Sequence, residues 1–404
     1  MKTPTRIKTL KNPIKEYKWG SKTAIPELLG IPNKANKPQA ELWMGAHPGA
    51  PSIVVSQNIE FPLIDYVKQN PEVVLGKRCM ELYGPELPFL FKVLAAADPL
   101  SIQAHPNRDQ AKAGFKREND LGIALDAYNR NYKDDNHKPE IISAITPFWA
   151  LKGFRKIESM VKIFKKFNID SLRSRLHELE KNKNKIGLKK FYTDIMSLDA
   201  GIKQESVKQA VDQSLAIKNN EITRWIIKLN KYYPGDIGVL SPIMLNLICL
   251  KPGQALFLSA GEPHVYLEGV GVELMANSDN VLRGGLTPKH VDAAELINTL
   301  TFSDGEVDIL TPSKKHGNTE SEYSSLAQEF KLSIIEIDNN SKYTKNNNCS
   351  AEILICMHGA CQITDIKINE NLEMKKGASI LIPANVETYE IKGNAKLYKA
   401  AINL

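Results

Sequence analysis

The spacing of apolar residues changes twice along the chain, from strand-like to helical and back to strand-like. This pattern most strongly restricts the folds that the chain can adopt. Short apolar runs broken by Pro, Gly and Asn fill residues 1–153 and indicate strands and turns. Residues 154–241 instead carry apolar side chains at the i, i+3, i+4 spacing of amphipathic helices. Strand texture returns in residues 242–309 and continues through residues 310–404. We therefore predict a mainly β protein with an α-helical insertion.

A weak internal repeat divides the strand-rich part of the chain. GQALFLSAGEPH at residues 253–264 and GASILIPANVET at residues 377–388 share a glycine, an apolar strand and a small-residue turn in register. The repeat indicates two related β-barrel units, although two unrelated hairpins would also give so short a match. His264 of the first copy aligns with Thr388 of the second. Only the first barrel is therefore expected to keep a metal ligand at this position.

The charge balance permits an anionic partner, but it does not require one. The chain has 53 Lys and Arg against 46 Asp and Glu, a net charge of +7. Most of this excess is expected to be a lysine-rich solvated surface, and phosphorylated substrates or nucleic acid are the alternatives.

The cysteines and the apolar runs restrict the compartment. The chain has five cysteines and no CxxC, which argues against a disulfide framework and a cysteine-type zinc site. The first residues lack the apolar stretch of a secretory signal. The most apolar run, residues 87–100, contains Lys92 and Asp98 and is too short to span a bilayer. We therefore expect a cytoplasmic protein without a membrane segment.

Three polar segments contain side chains that suit a metal ion. Gln103 and His105 lie two apart in LSIQAHPN, so a strand would point them to the same face. NHKPE ends at Glu140, and GEPHVY contains His264. Two imidazoles, a carboxylate and an amide oxygen would suit zinc or another divalent transition metal. The metal with these ligands would have a net charge of about +1, so it would remain a good Lewis acid, as a catalytic site requires. The alternative is that each histidine is an ordinary core residue.

Five longer motifs carry a family resemblance. They are YKWGS (17–21), AELWMGAHPGAPS (40–52), LPFLFKVLAAADPLSIQAHPN (87–107), YKDDNHKPE (132–140) and GEPHVYLEGVGVELMANSDNVLRGGLTPKHVD (261–292). These segments, in this order, resemble those of the type I mannose-6-phosphate isomerases. The helical block and the last hundred residues resemble the family mainly in position and texture.

The resemblance implies a domain division and a cofactor. The family has two cupin-like jelly-roll barrels plus a helical domain. Residues 1–153 and 242–309 would form the catalytic barrel with the zinc site, residues 154–241 the inserted helical domain, and residues 310–404 a barrel without metal. One Zn²⁺ per chain would be held by Gln103, His105, Glu140 and His264.

The resemblance also implies an activity and a set of site residues. The chain would interconvert D-mannose 6-phosphate and D-fructose 6-phosphate by zinc-assisted proton transfer through an enediol-like intermediate. The catalytic residues would be Arg283, Lys138 and Asp279, and the substrate-binding residues Trp19, Glu41, Lys92, Ser101 and Lys289. The expected partner is a small-molecule hexose phosphate and not a nucleic acid or a membrane, and the expected oligomeric state is a monomer.

Several individual roles have alternatives. Lys138 is either the proton-transfer base or an electrostatic partner of Glu140. Arg283 either stabilises the enediolate or binds phosphate. Asp279 and His105 either assist ring opening or are structural. Lys92 interrupts an apolar strand, so it is either paired in the interior or points to solvent from an edge.

Three further histidines and two competing functions remain. His47, His137 and His290 lie beside the motifs, and we expect them to be structural or exposed. A non-catalytic zinc cupin that binds a sugar phosphate and a metal-cupin oxygenase are the competing functions. The presence of both Lys138 and Arg283 argues against the first, and an amide ligand at residue 103 argues against the second.

Overall fold

The computed structural model describes residues 6–56, 59–217, 219–315 and 318–404. The strands within these ranges are β1 (Lys8–Lys11), β2 (Ile14–Lys15), β3 (Glu41–Gly45), β4 (Ile53–Ser56), β5 (Ile59–Pro62), β6 (Phe89–Ala96), β7 (Gln103–Ala104), β8 (Glu140–Ala144), β9 (Phe148–Phe154), β10 (Leu245–Leu250), β11 (Ala255–Leu258), β12 (His264–Ala276), β13 (Leu282–Arg283), β14 (Ser313–Lys315), β15 (Glu320–Glu322), β16 (Lys331–Ile337), β17 (Lys342–Lys345), β18 (Glu352–Asp365), β19 (Glu370–Lys375), β20 (Ser379–Ile382) and β21 (Tyr389–Ala401).

The helices comprise a scattered set before β8, a continuous block between β9 and β10, and one short helix after β13. They are α1 (Ala24–Leu29), α2 (Leu63–Gln69), α3 (Pro71–Leu75), α4 (Lys77–Tyr83), α5 (Arg108–Asp120), α6 (Ile157–Phe167), α7 (Arg173–Lys181), α8 (Lys185–Met196), α9 (Ala200–Ala216), α10 (Glu221–Tyr232), α11 (Ser241–Met244) and α12 (Ala293–Thr299). The mainly β fold with a helical region is confirmed. Within the described ranges, no helix combines the length and the apolar character needed to cross a bilayer.

One sheet joins strands from both sides of the helical block. Its main order is β10-β9-β12-β6-β3-β2, and β7 and β8 also pair with β12. All eight residues of β6 are buried, because both faces of this strand are covered. Since β12 lies after the helices in sequence and pairs with four strands that precede them, the helical block is an insertion between paired strands.

The second sheet contains the C-terminal strands and three strands from the beginning of the chain. Its main order is β14-β15-β16-β21-β18-β20-β1-β4-β5. The two copies of the sequence repeat pair with equivalent partners. Leu258 lies opposite Glu140, and Ile382, at the same place in its repeat, lies opposite Glu352. The likeness between the two segments therefore extends from the sequence to the strand pairing.

The helical block packs through one apolar face. In α6, the side chains of Ile157, Met160, Val161 and Phe164 are buried, whereas the intervening lysines and glutamate are largely exposed. The four buried side chains belong to a core that also includes Leu151 of β9 and other strand residues. This core attaches the helices to the first sheet.

The interpretation of residues 1–153 as strands and turns was incomplete. Helix α5 begins at a capping box, in which the side chains of Asn107 and Gln110 each accept a backbone N–H of the other residue. Its buried face includes the small residues Ala111 and Gly114, so no strong apolar period marks the helix in the sequence. The capping pair was the available signal.

Candidate metal centre and adjoining cavity

Three of the four predicted metal ligands meet in the interior of the first sheet. His105 follows β7, Glu140 begins β8 and His264 begins β12, and all three are buried. One ligand atom from each residue lies within 4.8 Å of the others. The shorter separations are 3.3 Å from His105 Nε2 to Glu140 Oε1 and 3.7 Å from His264 Nε2 to Glu140 Oε2. Donor atoms around a tetrahedral zinc lie about 3.3–3.4 Å apart, so the arrangement is close to a ligand set.

The other ring nitrogen of each histidine determines which atom faces the centre. His105 Nδ1 lies 2.7 Å from the carbonyl oxygen of Asn280, and His264 Nδ1 lies 3.1 Å from that of Glu262. A carbonyl only accepts, so each Nδ1 carries the proton and each Nε2 presents a lone pair to Glu140. His105 Nε2 forms no hydrogen bond with the residues that the structure describes. Lone pairs and a carboxylate in mutual contact repel, so a bound cation fits this site.

The protonation states of the three residues suit metal binding. Burial lowers the pKa of His264 to about 4, with the nearby His105 adding to the effect. Burial and the Lys138 ammonium also lower the pKa of His105. Burial alone would raise the pKa of Glu140, but Lys138 and the histidines hold it well below its usual range. At neutral pH the group therefore consists of two neutral imidazoles and one carboxylate.

Gln103, the fourth predicted ligand, lies beside the same centre. It is directly opposite His264 in the pairing of β7 with β12 and opposite Arg283 in the pairing of β7 with β13. Side chains at directly opposite positions share a face of the sheet. The topology therefore brings Gln103 to the face of His264 and to the wall of the adjoining cavity.

A cavity of about 840 Å³ opens next to the buried ligands. Its wall contains every residue that was predicted to bind substrate or catalyse the reaction: Trp19, Glu41, Lys92, Ser101, Lys138, Asp279, Arg283 and Lys289. These residues come from five separate sequence motifs and from both sides of the helical block. The structure thus gathers the predicted residues around a single concave site.

Lys92 is an interior residue of a central strand and not an edge residue. Its Nζ lies 2.9 Å from Glu273 Oε2 and 3.8 Å from Glu41 Oε1. Burial opposes the charged form, but the two carboxylates hold the pKa of Lys92 above its ordinary value. Trp43 Nε1 donates to Glu41 Oε2 at 2.7 Å and so fixes that carboxylate. Of the two alternatives for Lys92, the paired interior position is the observed one.

Lys138 and Asp279 each have a specific partner. Lys138 Nζ lies 3.0 Å from Glu140 Oε1, so it contacts the ligand group directly. Asp279 Oδ2 lies 3.5 Å from His47 Nε2, whose Nδ1 accepts the backbone N–H of Gly49. The contact with His47 lowers the pKa of Asp279, against an opposing effect of burial. His47 was expected to be structural or exposed, and it is buried behind a cavity residue.

Arg283 and Lys289 form a second cationic region of the wall. Burial lowers the pKa of Arg283. Burial lowers the pKa of Lys289 too, and the neighbouring positive charges of Arg283 and Lys133 add to this effect. Two cations that repel each other in a half-buried wall are suited to a dianionic ligand.

Sequence reasoning missed the contribution of the helical insertion. Tyr232, Tyr233 and Asp236 come from the end of α10 and the following turn, and all three line the cavity. Tyr232 donates to Asp98 Oδ1 at 2.6 Å, and Tyr233 donates to the carbonyl oxygen of Pro99 at 2.9 Å. These hydrogen bonds link the insertion to the segment that precedes Ser101. A tyrosine pair before Pro-Gly is too common a pattern to indicate such a role.

Buried Glu273 was also missed. It lies on β12 opposite Lys92 of β6. A glutamate within the apolar run VELMA is the only sequence signal, and it matches the lysine within FLFKVL.

Three domain families match successive parts of the chain. Residues 7–157 match phosphomannose isomerase type I, catalytic domain; residues 164–245 match its helical insertion domain; and residues 319–402 match the mannose-6-phosphate isomerase cupin domain.

Full-length relatives agree with these matches. The chain is 37% identical over 398 residues to mannose-6-phosphate isomerase of Escherichia coli (strain K12), covering 97% of this chain and 98% of that protein. It is 32% identical over 408 residues to the Homo sapiens protein of the same name, with 94% of each chain covered. A Salmonella typhimurium mannose 6-phosphate isomerase structure, bound to the substrate f6p and zinc, superposes with a TM-score of 0.92 at 36% identity. That alignment covers 99% of this chain and 100% of the Salmonella chain.

Proposed function

Because the chain belongs to the type I mannose-6-phosphate isomerase family, we propose that it interconverts D-mannose 6-phosphate and D-fructose 6-phosphate. The observation that carries this proposal is a cation-lined cavity of about 840 Å³ beside the buried group of His105, Glu140 and His264, with Lys138 lining the cavity and contacting Glu140. Cavities of this size commonly hold small-molecule ligands. The f6p and zinc bound in the Salmonella relative support the same substrate and metal here.

The proposed metal ligands are Gln103, His105, Glu140 and His264, with one Zn²⁺ per chain. Bound zinc would act as a Lewis acid that polarises a sugar oxygen. The backbone carbonyls of Asn280 and Glu262 keep the imidazoles in the orientation that this set requires.

The phosphate and the sugar would occupy different parts of the cavity. We assign Lys289 and Ser101 to the phosphate group. Lys92 is already paired with Glu273 and Glu41, so it would not offer a free positive charge to the phosphate. Together with Trp19, it would position the sugar hydroxyls. Glu41 would accept hydrogen bonds from the same hydroxyls.

Isomerisation moves a proton between C1 and C2 through an enediol-like intermediate, and three side chains would share this chemistry. Lys138 in its neutral amine form would take the proton from one carbon and return it to the other, since its side chain lines the cavity. Arg283 lies opposite Gln103 and would stabilise the negative oxygen of the intermediate. Asp279, held by His47, would accept and return the hydroxyl proton during ring opening.

The architecture supports two cupin-like jelly-roll barrels with a helical insertion. The equivalent strand pairing of Glu140 and Glu352 and the cupin match in residues 319–402 favour this division. Residues 1–153 and 242–309 would form the catalytic barrel and residues 310–404 the second, although β1, β4 and β5 extend its sheet. We also propose a cytoplasmic monomer; its five free cysteines suit a reducing compartment.

A coupled assay on zinc-loaded protein tests the proposed function directly. We expect turnover of mannose 6-phosphate by the wild type and a large loss of kcat in the Arg283→Ala and Lys138→Ala variants. If Lys138→Ala keeps most of the wild-type kcat, Lys138 is not the base. If the zinc-loaded wild type binds the sugar phosphate without interconverting it, the protein is the non-catalytic zinc cupin considered above.

A further inference from the structure

A buried carboxylate from the C-terminal sheet reaches the segments that carry the metal ligands. Glu329 lies between β15 and β16, and its side chain is only 2% exposed. Its Oε1 lies 2.7 Å from Arg108 Nη2 and 2.6 Å from His137 Nε2. Arg108 begins α5 and lies three residues after His105. One oxygen therefore contacts both the segment that carries His105 and the segment that carries Glu140.

The short distance determines the direction of the histidine hydrogen bond. A ring nitrogen 2.6 Å from a carboxylate oxygen requires a proton between them, so His137 Nε2–H donates to Glu329. Burial alone would raise the pKa of Glu329, but the contacts with His137 and Arg108 hold it below its usual value. The carboxylate is therefore charged and oriented by two donors.

The position of Glu329 is fixed by its neighbours in the chain. Tyr83 Oη donates to the carbonyl oxygen of Gln328 at 2.6 Å, and Asn403 Nδ2 donates to that of Ala327 at 2.7 Å. Phe330 is fully buried in the core between the two sheets. Because the backbone on both sides is anchored, Glu329 acts as a rigid point for the loop that it contacts.

The loop that Glu329 contacts carries Lys138, the proposed base. His137 precedes Lys138, and Lys138 Nζ lies 3.0 Å from Glu140 Oε1. On its other side the loop is held by Asn280, whose Nδ2 donates to the carbonyl oxygen of Asn136 at 2.9 Å. Glu329 therefore supplies the support that comes from outside the first sheet.

We propose that Glu329 is a positioning residue for the isomerisation, and that it sets the orientation of Lys138 through His137. In this arrangement the C-terminal sheet contributes to the active site without contacting the substrate. The inference rests on the proposed function of Lys138. It adds a role for Glu329, which lies about 190 residues after His137 in the sequence.

The test compares variants of zinc-loaded full-length protein in the coupled assay. Glu329→Ala should lower kcat roughly 10- to 100-fold, as expected for the loss of an outer-shell support, with little change in KM because the substrate contacts remain. Glu329→Gln keeps an acceptor oxygen at the same reach and should recover most of the kcat. Glu336→Ala is the matched control, because Glu336 is an exposed carboxylate of the same sheet that pairs with Lys396; it should behave as wild type.

A double variant distinguishes positioning from general stabilisation. If Glu329 acts through His137, the variant with both His137→Ala and Glu329→Ala should have the same kcat as His137→Ala alone. Multiplying losses in the double variant, or a wild-type kcat in Glu329→Ala, would overturn the proposal. If Glu329→Ala does not fold, Glu329→Asp replaces it, since the shorter side chain withdraws the carboxylate from His137 and should also lower kcat.

Thermal unfolding of the same variants keeps the two proposals separate. If the wild type has no isomerase activity, the proposed function fails, while the coupling between residues 329 and 137 in unfolding free energy still tests the contact. Additive unfolding free energies would show that the two side chains are not coupled, and the inference would then fail by itself.

Discussion

Each metal-centre histidine has its second nitrogen bonded to a backbone carbonyl. His105 is held by Asn280 and His264 by Glu262. Burial keeps both rings neutral, and the two Nε2 lone pairs converge on the ionised Glu140. The two lone pairs and the carboxylate together favour a bound cation, so the three side chains act as a group and not as separate core residues.

Removal of one imidazole should abolish metal retention. We expect His105→Ala to bind zinc more than about 100-fold more weakly than wild type, because deletion of a ligand exceeds the loss of an outer-shell contact. Metal content after dialysis and turnover in the coupled assay measure the effect. His290→Ala is the control, and equal zinc retention by the two variants would rule out His105 as a ligand.

Lys92 should be needed for stability as well as for the cavity. Lys92→Met leaves Glu273 and Glu41 buried without a countercharge, and we expect a loss of about 3–5 kcal/mol in the free energy of unfolding. Lys116→Met removes an exposed pair with Asp120 and should cost less than about 1 kcal/mol. Urea unfolding of both variants checks this, and similar losses would contradict the buried pairing.

At the scale of the element, β12 organises the first sheet. It begins with His264, carries Glu273 opposite Lys92, and pairs with β6, β7, β8 and β9. β12 has a register shift between Tyr266 and Glu268. Its first part pairs with β7 and β9, and its second part pairs with β6 and β8. The strand therefore connects the metal centre to the buried ion pair.

Gly269 is the residue of β12 that tolerates a side chain least. Its φ is +132°, and a Cβ would lie 2.7 Å from the carbonyl oxygen of Pro147. We expect Gly269→Ala to cost about 1–3 kcal/mol through backbone strain. Gly305→Ala is the control, since nothing lies within 4 Å of the added Cβ. Calorimetry should show a lower Tm only for the first variant, and equal Tm values would contradict the expectation.

Strands β15, β16 and β21 share a second buried ion cluster. Lys399 Nζ lies 2.7 Å from Glu320 Oε1, and Ser333 donates to the same carboxylate. Burial would raise the pKa of Glu320, but Lys399 and the hydrogen bonds hold it below its usual value.

This cluster should make part of the stability dependent on pH. A carboxylate whose pKa is lower in the folded state stabilises the fold above its unfolded pKa of about 4.3, and the contribution is lost as the pH falls through the folded value. The stability difference between wild type and Glu320→Gln should therefore be full at pH 7 and shrink below about pH 4. Urea unfolding of the metal-free proteins measures it, and a constant difference across this range would contradict the prediction.

At the scale of the whole molecule, the cavity is assembled from the first sheet and the helical insertion. Tyr232 and Tyr233 connect the end of α10 to residues Asp98 and Pro99, next to the proposed phosphate contacts. Glu329, between strands of the C-terminal sheet, contacts His137 on the segment that leads to Glu140. All three parts of the chain therefore support one site.

Chelation should affect activity and stability together. A ligand that binds only the folded state stabilises it by about 4 kcal/mol at a free concentration 1,000 times its Kd. We expect a chelator to abolish turnover and lower Tm, and zinc to restore both. Full turnover by protein shown to be free of metal would exclude the proposed metal role.

The order of strand-rich and helical blocks could be predicted from the sequence alone, because side-chain periodicity is a local property. The residues alone predicted only an N/O metal site, and the family resemblance supplied Gln103, His105, Glu140 and His264 as its expected ligands. Helix α5 was missed because small residues form its buried face.

Contacts between groups that are distant in sequence could be seen in the folded chain and not in the sequence. The pairing of Lys92 with Glu273, the extension of the C-terminal sheet by β1 and the contact of Glu329 with His137 each join segments far apart in sequence. Such contacts depend on strand register and on the packing of buried charges, and no local pattern records either. The residue types of the site could therefore be predicted from the sequence, whereas their contact partners depend on the fold.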